Sequence, residues 1–331
     1  MLAPHLRILS ARQVLTYRHT FTTCIQYLQS FLIQHFLKPA SSIPDNMVST
    51  TTEEHPYKDA KLPIDQRVED LLGRMTIEEK AGLMFHDIIL MGPGGHLLKE
   101  LKAEFGVPPT DEQIGGLLMS HFNLLGAVTN VRETAEWYNR LQERALQTRL
   151  GIPITLSSDP RHHFADNVGT GFQAGALSQW PETLGLAALR SPELVERFTT
   201  VAREEYLALG IRLALHPQID LATEPRWSRI GKTFGEDADL ASQLVGPYIR
   251  GFQGSRELGP NSVSTMTKHF PGGGPQKEGE DPHFSYGKEQ VYPGGNMEYH
   301  LRPFRAAIAA GASQMMPCKT YHAPFQKIMA D

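Results

Sequence analysis

Cysteine is scarce in this sequence: Cys24 and Cys318 are the only two in 331 residues. Two cysteines cannot build a disulfide framework or a thiolate zinc site. They fit a reducing compartment without establishing one. No run of 18 apolar residues occurs, so nothing reads as a membrane span. No long basic block occurs either, and the formal net charge is −4, which argues against nucleic acid and anionic membrane as partners. His-Glu-x-x-His and Cys-x-x-Cys spacings are missing, so His162, His163, His216 and His269 form no metal-site pattern. Acidic residues are missing before Asp45, although Arg7, Arg12, Arg18 and Lys38 are basic.

Residues 1–54 therefore stand apart from the rest. Their composition matches a transit peptide. They make a poor secretory signal, because Gln26, Gln29, Gln34 and His35 interrupt the apolar residues of Phe21 to Leu37. A start at Met47, with an extension upstream, is a third reading. A cytoplasmic location is favoured and organelle targeting stays open. This stretch is expected to lie outside the fold.

From Leu62 a globular pattern begins. With 40% hydrophobic and 21% charged residues, the chain can bury a sizeable core in one large domain or two. Val68, Leu71, Leu72 and Met75 recur at helical spacing, and Thr76-Ile77-Glu78-Glu79 is a capping box opening a second helix with Leu83 and Met84 on its apolar face. Strands are expected at Ile114–Ser120, Ile154–Ser158, Arg212–His216, Val263–Thr267 and Ser313–Met316. Between them come helices over Thr134–Leu150, from the N-cap Ser191 to near Gly210, through Leu240 to Phe252, and around Leu301 to Ile308 with a C′ glycine at Gly311. Strands alternating with helices indicate right-handed βαβ units and a parallel α/β sheet.

The densest chemistry is Thr267-Lys268-His269-Phe270-Pro271-Gly272-Gly273-Gly274, where a cation and an imidazole close a strand and a glycine turn follows. Polar groups at the C-terminal ends of parallel strands are how α/β proteins build sites. The glycines alone fit a solvated turn or a phosphate loop; the latter lacks its Lys-Ser/Thr pair.

This stretch resembles the Lys-His-Phe-Pro-Gly motif of glycoside hydrolase family 3, the β-glucosidase and exo-β-glycosidase family. Gly151-Ile152-Pro153-Ile154-Thr155-Leu156-Ser157-Ser158-Asp159-Pro160-Arg161-His162 resembles its second strand with a sugar-binding aspartate. Glu224-Pro225-Arg226-Trp227-Ser228-Arg229 and Phe234-Gly235-Glu236-Asp237 resemble its Asp-Pro-Arg-Trp-Gly-Arg and Gly-Glu-Asp-Pro signatures. The resemblance covers roughly residues 55 to 331. It implies a TIM-type (β/α) barrel, here incomplete and ending after about five strands, so that 55–331 would be a partial barrel domain.

The resemblance also implies a hydrolase acting on terminal β-D-glucosyl residues by a retaining mechanism without cofactor. Retention uses two carboxyl groups about 5–5.5 Å apart. By resemblance both the nucleophile and the acid/base fall in segments beyond Asp331, so no catalytic residue is assigned here. Substrate binding is carried over to Asp159, Arg229, Lys268 and His269. Asp159 could accept from two sugar hydroxyls, or simply cap the turn before Pro160. Arg229 could fork onto a hydroxyl or carboxylate, or pair with Glu236 or Asp237. Lys268 brings charge that keeps a nearby carboxylate ionised, and His269 a directional donor or acceptor. Ser228 and Lys232 depart from the family's glycine and glutamate, and Met316 to Tyr321 from its Pro-Ser-Tyr. The alternative reading is a catalytically inactive sugar-binding or vestigial fragment.

Overall fold

A computed structural model describes residues 55–167 and 171–320. The expectations for residues 1–54 lie outside the described residues. The described chain divides into two compact units, residues 55–76 with 100–108, and residues 77–99 with 109–320.

The smaller unit is built on α1 (Ile64–Arg74). The Asp70 carboxylate accepts the Tyr57 N–H at 3.1 Å and Arg74 Nε at 3.0 Å, while Arg67 Nε donates to the Tyr57 carbonyl at 2.9 Å. The helical spacing was legible, but Val68 and Leu72 remain 45% and 42% exposed and only Met75, just past the helix, is buried.

The larger unit opens with α2 (Ile77–Leu83), starting where the capping sequence places it. Met84, expected on its apolar face, is exposed. Six strands follow: β1 (His86–Ile89), β2 (His121–Leu124), β3 (Thr155–Ser158), β4 (Ile211–Ala214), β5 (Ser264–Phe270) and β6 (Gln314–Pro317). All pairings are parallel and the spatial order is the chain order, β1 to β6, in a sheet that is not closed. A doubly wound sheet reverses its strand order at a switch point; this one never does. Adding each strand on the same side is the topology of a barrel wall.

Two sequence expectations change here. The described residues hold six strands rather than about five: β1 is four residues opening on His86 and Asp87, and the short apolar run Ile88–Met91 does not by itself distinguish a strand from the end of the preceding helix. The strand expected at Ile114–Ser120 is absent: Glu112–Gly116 is a π-helical turn, and β2 begins at His121. A short apolar run does not distinguish strand from buried helix, and this one carries Gly115 and Gly116.

The helices are α3 (Val131–Leu146), α4 (Thr183–Ala188), α5 (Pro192–Ala208), α6 (Ala238–Gln253) and α7 (Met297–Ala309). Asn130 caps α3 by accepting from the Arg132 and Glu133 N–H groups, Ser191 caps α5 through the Leu194 N–H, and Asp237 caps α6 through Asp239 and Leu240. α3 buries Trp137, Leu141 and Ala145, whereas Leu146 faces out. α5 packs on α6 and α6 on α7. Beneath β4 their aromatic side chains interlock: Phe198, Tyr206, Tyr248 and Phe252 are buried, with the Tyr248 and Phe252 ring centroids 5.3 Å apart.

Candidate functional site

Asp159 is the first residue beyond β3, and Lys268 lies near the end of β5. Lys268 Nζ stands 2.7 Å from Asp159 Oδ1, and both residues are at most 4% exposed. Asn123 of β2 donates to the other carboxylate oxygen, Oδ2, at 3.1 Å. Burial lowers the Lys268 pKa, and the Asp159 charge opposes that fall. Each oxygen of Asp159 thus has one donor and one further lone pair to offer.

The Asp159 main chain is pinned as firmly. Its carbonyl accepts from the Tyr206 hydroxyl at 3.1 Å and from Ser158 Oγ at 2.6 Å. Arg161, wholly buried, donates to Ser158 Oγ and to the carbonyls of Leu124 and Gly126, joining the end of β3 to the end of β2. Its guanidinium also lies 4.5 Å from the Phe172 ring centroid, and burial takes its pKa down to about 10. His216 sits behind this, 2.6 Å from the Tyr248 hydroxyl and 3.3 Å from that of Tyr206; burial holds its pKa well below the usual value.

His269 follows Lys268 through a cis peptide and turns to Asp220. Its Nδ1 lies 2.8 Å from Asp220 Oδ2, and its own N–H donates to Asp220 Oδ1 at 3.0 Å. Burial would raise the Asp220 pKa, but His269 and the N–H groups of Gly273 and His269 outweigh it, and the net shift is downward. An ionised carboxylate only accepts, so Nδ1 carries the proton. Burial lowers the His269 pKa as well, which favours the neutral ring and leaves Nε2 as an acceptor.

Arg229 forms neither of the ion pairs weighed for it. It donates to Gln218 Oε1 at 2.9 Å, and Asp237 caps a helix instead. Gln218 is in turn bridged to Lys268 through the backbone: the Lys268 N–H donates to the Pro217 carbonyl at 3.0 Å and the Ile219 N–H to the Lys268 carbonyl at 2.9 Å. The Arg229 charge depresses the proton affinity of both Lys268 and His269. The structure therefore joins Asp159 to Lys268 directly and sets Arg229 and His269 within electrostatic reach of that pair.

The glycine turn is neither solvated nor a phosphate loop. Gly272, Gly273 and Gly274 are buried. A Cβ at Gly274 would sit 1.7 Å from the Leu221 carbonyl oxygen, and one at Gly273 would sit 3.2 Å from Asp220 Oδ1. Glycine is required so that the turn can press on the chain after β4 and aim the Gly273 N–H at Asp220.

Asn123, Gln218 and Tyr206 carry no site signal in the sequence, whereas Asp220 stands with Asp159, Glu224, Glu278, Glu280 and Asp281 among the carboxylates near expected strand ends or loops. Asp220 had the only available signal, a carboxylate just beyond an expected strand. Asn123 is hidden because it lies on β2, which begins at His121, just past the run Ile114–Ser120 where the strand is expected. His162 pairs with Glu205 at 2.7 Å and His216 with two tyrosines, and among the described residues no three His, Cys, Asp or Glu groups are placed to hold a metal ion.

Residues 99–326 match the N-terminal domain of glycosyl hydrolase family 3. The chain belongs to this family. It is 61% identical over 261 residues to a probable β-glucosidase C of Aspergillus oryzae, covering 79% of this chain and 40% of that protein. It is 42% identical over 264 residues to a periplasmic β-glucosidase/β-xylosidase of Dickeya chrysanthemi, covering 80% and 40% respectively. Among solved structures, a β-glucosidase from Erythrobacter marinus superposes with a TM-score of 0.62 at 22% identity, over 81% of this chain and 33% of that one. At such identity the likeness carries the fold, an incomplete TIM-type barrel. The chain spans about 40% of the length of these curated relatives.

Within family 3 the Lys232 departure has a local answer. Lys232 pairs with Glu182 at 3.0 Å, with both side chains about seven-eighths buried. Glu182 comes from the connection between β3 and β4, so the reversed charge at 232 meets an opposite partner on a neighbouring loop. Ser228 is exposed.

Proposed function

We propose that residues 55–331 form a partial family 3 barrel domain that holds a terminal β-D-glucosyl residue for hydrolysis. The observation that carries this reading is the buried Lys268–Asp159 contact at the C-terminal ends of β3 and β5. Asp159 would accept two neighbouring sugar hydroxyls on its remaining lone pairs. His269, aligned by Asp220, would accept a third hydroxyl at Nε2. Arg229 would add donors from the next loop. Such pairing supports specificity, because a site built to bond hydroxyls leaves buried groups unpaired when one is missing. The Lys268 charge would also favour the ionised form of a nucleophilic carboxylate brought to the pair.

Asp159 is committed to Lys268 and Asn123, and Asp220 to His269 and Gly273, so neither is assigned the attacking or proton-donating role. The mechanism in the whole protein would be retaining, without cofactor. The β-glucosidase relatives and the geometry together support a β-glucoside as substrate.

The test is ligand-observed NMR of the 331-residue chain with D-glucose, alongside nitrophenyl β-glucoside hydrolysis. Weak glucose binding should drop at least tenfold in Asp159→Ala. The isolated chain should not turn the glucoside over, because its two rim carboxylates are engaged. Glucose binding unchanged in Asp159→Ala, or turnover by the purified chain, would overturn the assignment.

A further inference from the structure

We propose that Gln290 is a positioning residue for the candidate site: it aims the Gly273 N–H at Asp220 and, through Asp220, fixes His269. Gln290 stands in the connection between β5 and α7 and is 4% exposed. Its Nε2 donates to the Gly272 carbonyl. That carbonyl and the Gly273 N–H are the two ends of one peptide unit. A trans peptide is planar, so its C=O and N–H point in opposite directions. The bond on the oxygen therefore sets the direction of the N–H, which donates to Asp220 Oδ1. The same carboxylate oxygen accepts the His269 N–H at 3.0 Å, and Oδ2 faces His269 Nδ1 at 2.8 Å. The path from Gln290 to the imidazole thus runs through one peptide unit and one carboxylate. Each bond in such a chain polarises the next, so a donor on the carbonyl also makes the Gly273 N–H a better donor.

With glycine on both sides, this peptide unit has wide rotational freedom, and a side chain has to select one orientation for it. Gln290 is itself held for that task. The Tyr292 hydroxyl donates to its Oε1 at 3.2 Å, which keeps Nε2 turned to the Gly272 carbonyl. The Val291 N–H donates to the Pro275 carbonyl at 3.0 Å and the Lys277 N–H to the Glu289 carbonyl at 3.1 Å, so the main chain on both sides of Gln290 is tied to the segment leaving the glycine turn. Gln276, 1% exposed, is the natural contrast. Its Nε2 donates to the Gly273 carbonyl at 2.9 Å, and that oxygen belongs to the next peptide unit, whose N–H is that of Gly274. Gln276 grips the same turn without bonding the peptide that reaches Asp220. The consequence for a substrate rests on the sugar reading of His269; the alignment of His269 does not.

The alignment is read from the His269 Nδ1 proton, by its exchange with water in proton NMR of the full 331-residue chain, the signal being assigned by its loss in His269→Gln. Gln290→Met keeps the side-chain length and removes the donor. Exchange of that proton should speed up about fivefold or more, and D-glucose binding should weaken about threefold to tenfold, the equivalent of one neutral hydrogen bond. Gln276→Met should leave the exchange within about twofold of the parent, because the hydrogen bond it removes lies on the other peptide unit. Tyr292→Phe leaves Gln290 in place but frees its amide to turn over; it should move the proton the same way, and it decides the matter if circular dichroism shows Gln290→Met unfolded. Unchanged exchange in the folded variant, or equal acceleration in Gln276→Met, overturns the proposal, and Gln290 then only stabilises the turn. Faster exchange in a chain that binds no glucose at all sustains the alignment and removes the sugar reading instead.

Discussion

His269 is held by Asp220 twice over, through its ring Nδ1 at 2.8 Å and through its own backbone N–H at 3.0 Å. One carboxylate thereby sets both where the imidazole lies and which nitrogen it presents. The residue that orients the site's histidine comes from the loop after β4, one strand away from the motif that contains the histidine. Family 3 membership rests on matched sequence, but the alignment of this site follows from how the strands are placed.

Asp220→Asn should separate charge from shape. The folded-state pKa of Asp220 is lowered, so its stabilisation is present above the unfolded carboxylate pKa, about 3.9, and is lost as pH falls through the folded value. The variant should be less stable than the parent by about 1.5–3 kcal/mol at pH 7, the range for hydrogen bonds to a charged group. That gap should narrow as pH drops below about 4. Urea midpoints at pH 7, 5 and 3.5 check it; a gap that is constant or widens toward acid would contradict the assignment.

Lys268→Met alone leaves Asp159 buried without its cation. The expected loss is about 3–5 kcal/mol. Asp159→Asn with Lys268→Met removes both charges and should recover a good part of that loss while still failing to bind glucose. A double-mutant cycle in urea measures the coupling. Additive single losses would mean that the 2.7 Å contact contributes nothing specific.

Tyr206→Phe keeps the ring against Phe252 and deletes the hydroxyl that donates to the Asp159 carbonyl. Stability should fall by about 1–1.5 kcal/mol, the net contribution of one neutral hydrogen bond. Tyr206→Ala also opens a cavity and should cost about 3–5 kcal/mol. If the two variants melt alike, the hydroxyl rather than the ring provides most of the stabilisation, and the packing account of this residue is wrong.

Gly274→Ala tests the turn. The added methyl would meet the Leu221 carbonyl oxygen at 1.7 Å, so one of the two pieces of main chain must shift. Displacement of the turn should pull the Gly273 N–H from Asp220 and weaken glucose binding at least tenfold. Gly259→Ala, where a Cβ meets nothing within 4 Å, is the control and should behave as the parent.

The open sheet makes a prediction about association. β1 and β6 are its two ends, and β6 shows Met315 and Met316 only half-buried. Unpaired strand edges with apolar side chains recruit other chains. The isolated 331-residue chain should sediment as oligomers or aggregate, and a monodisperse monomer with one cooperative melting transition would argue against this.

Much was legible from local pattern alone. Ser191 marks a helix start with a short side chain that takes up an orphan N–H group. β3, β4 and β5 announce themselves as apolar runs between turn residues. The Lys268-His269 pair stands at a strand end in the sequence as it does in space. These features depend on neighbours a few residues away, so the sequence by itself determines them. β1 is not legible because the four apolar residues Ile88–Met91, close behind an expected helix, fit a buried helical turn as well as a strand. Ile114–Ser120 misled because a short apolar run with glycines fits a helical turn as well as a strand.

What only the tertiary structure decided is who meets whom. Asp159 and Lys268 are 109 residues apart, and nothing local to either names the other as its partner. Their contact follows from β3, β4 and β5 lying side by side and parallel, which brings the residues at those strand ends to one rim. The commitment of Asp220 to His269 and the close approach that demands glycine at 274 have the same origin. Each is set by the distance between loops from different strands, a quantity that no short window of sequence contains.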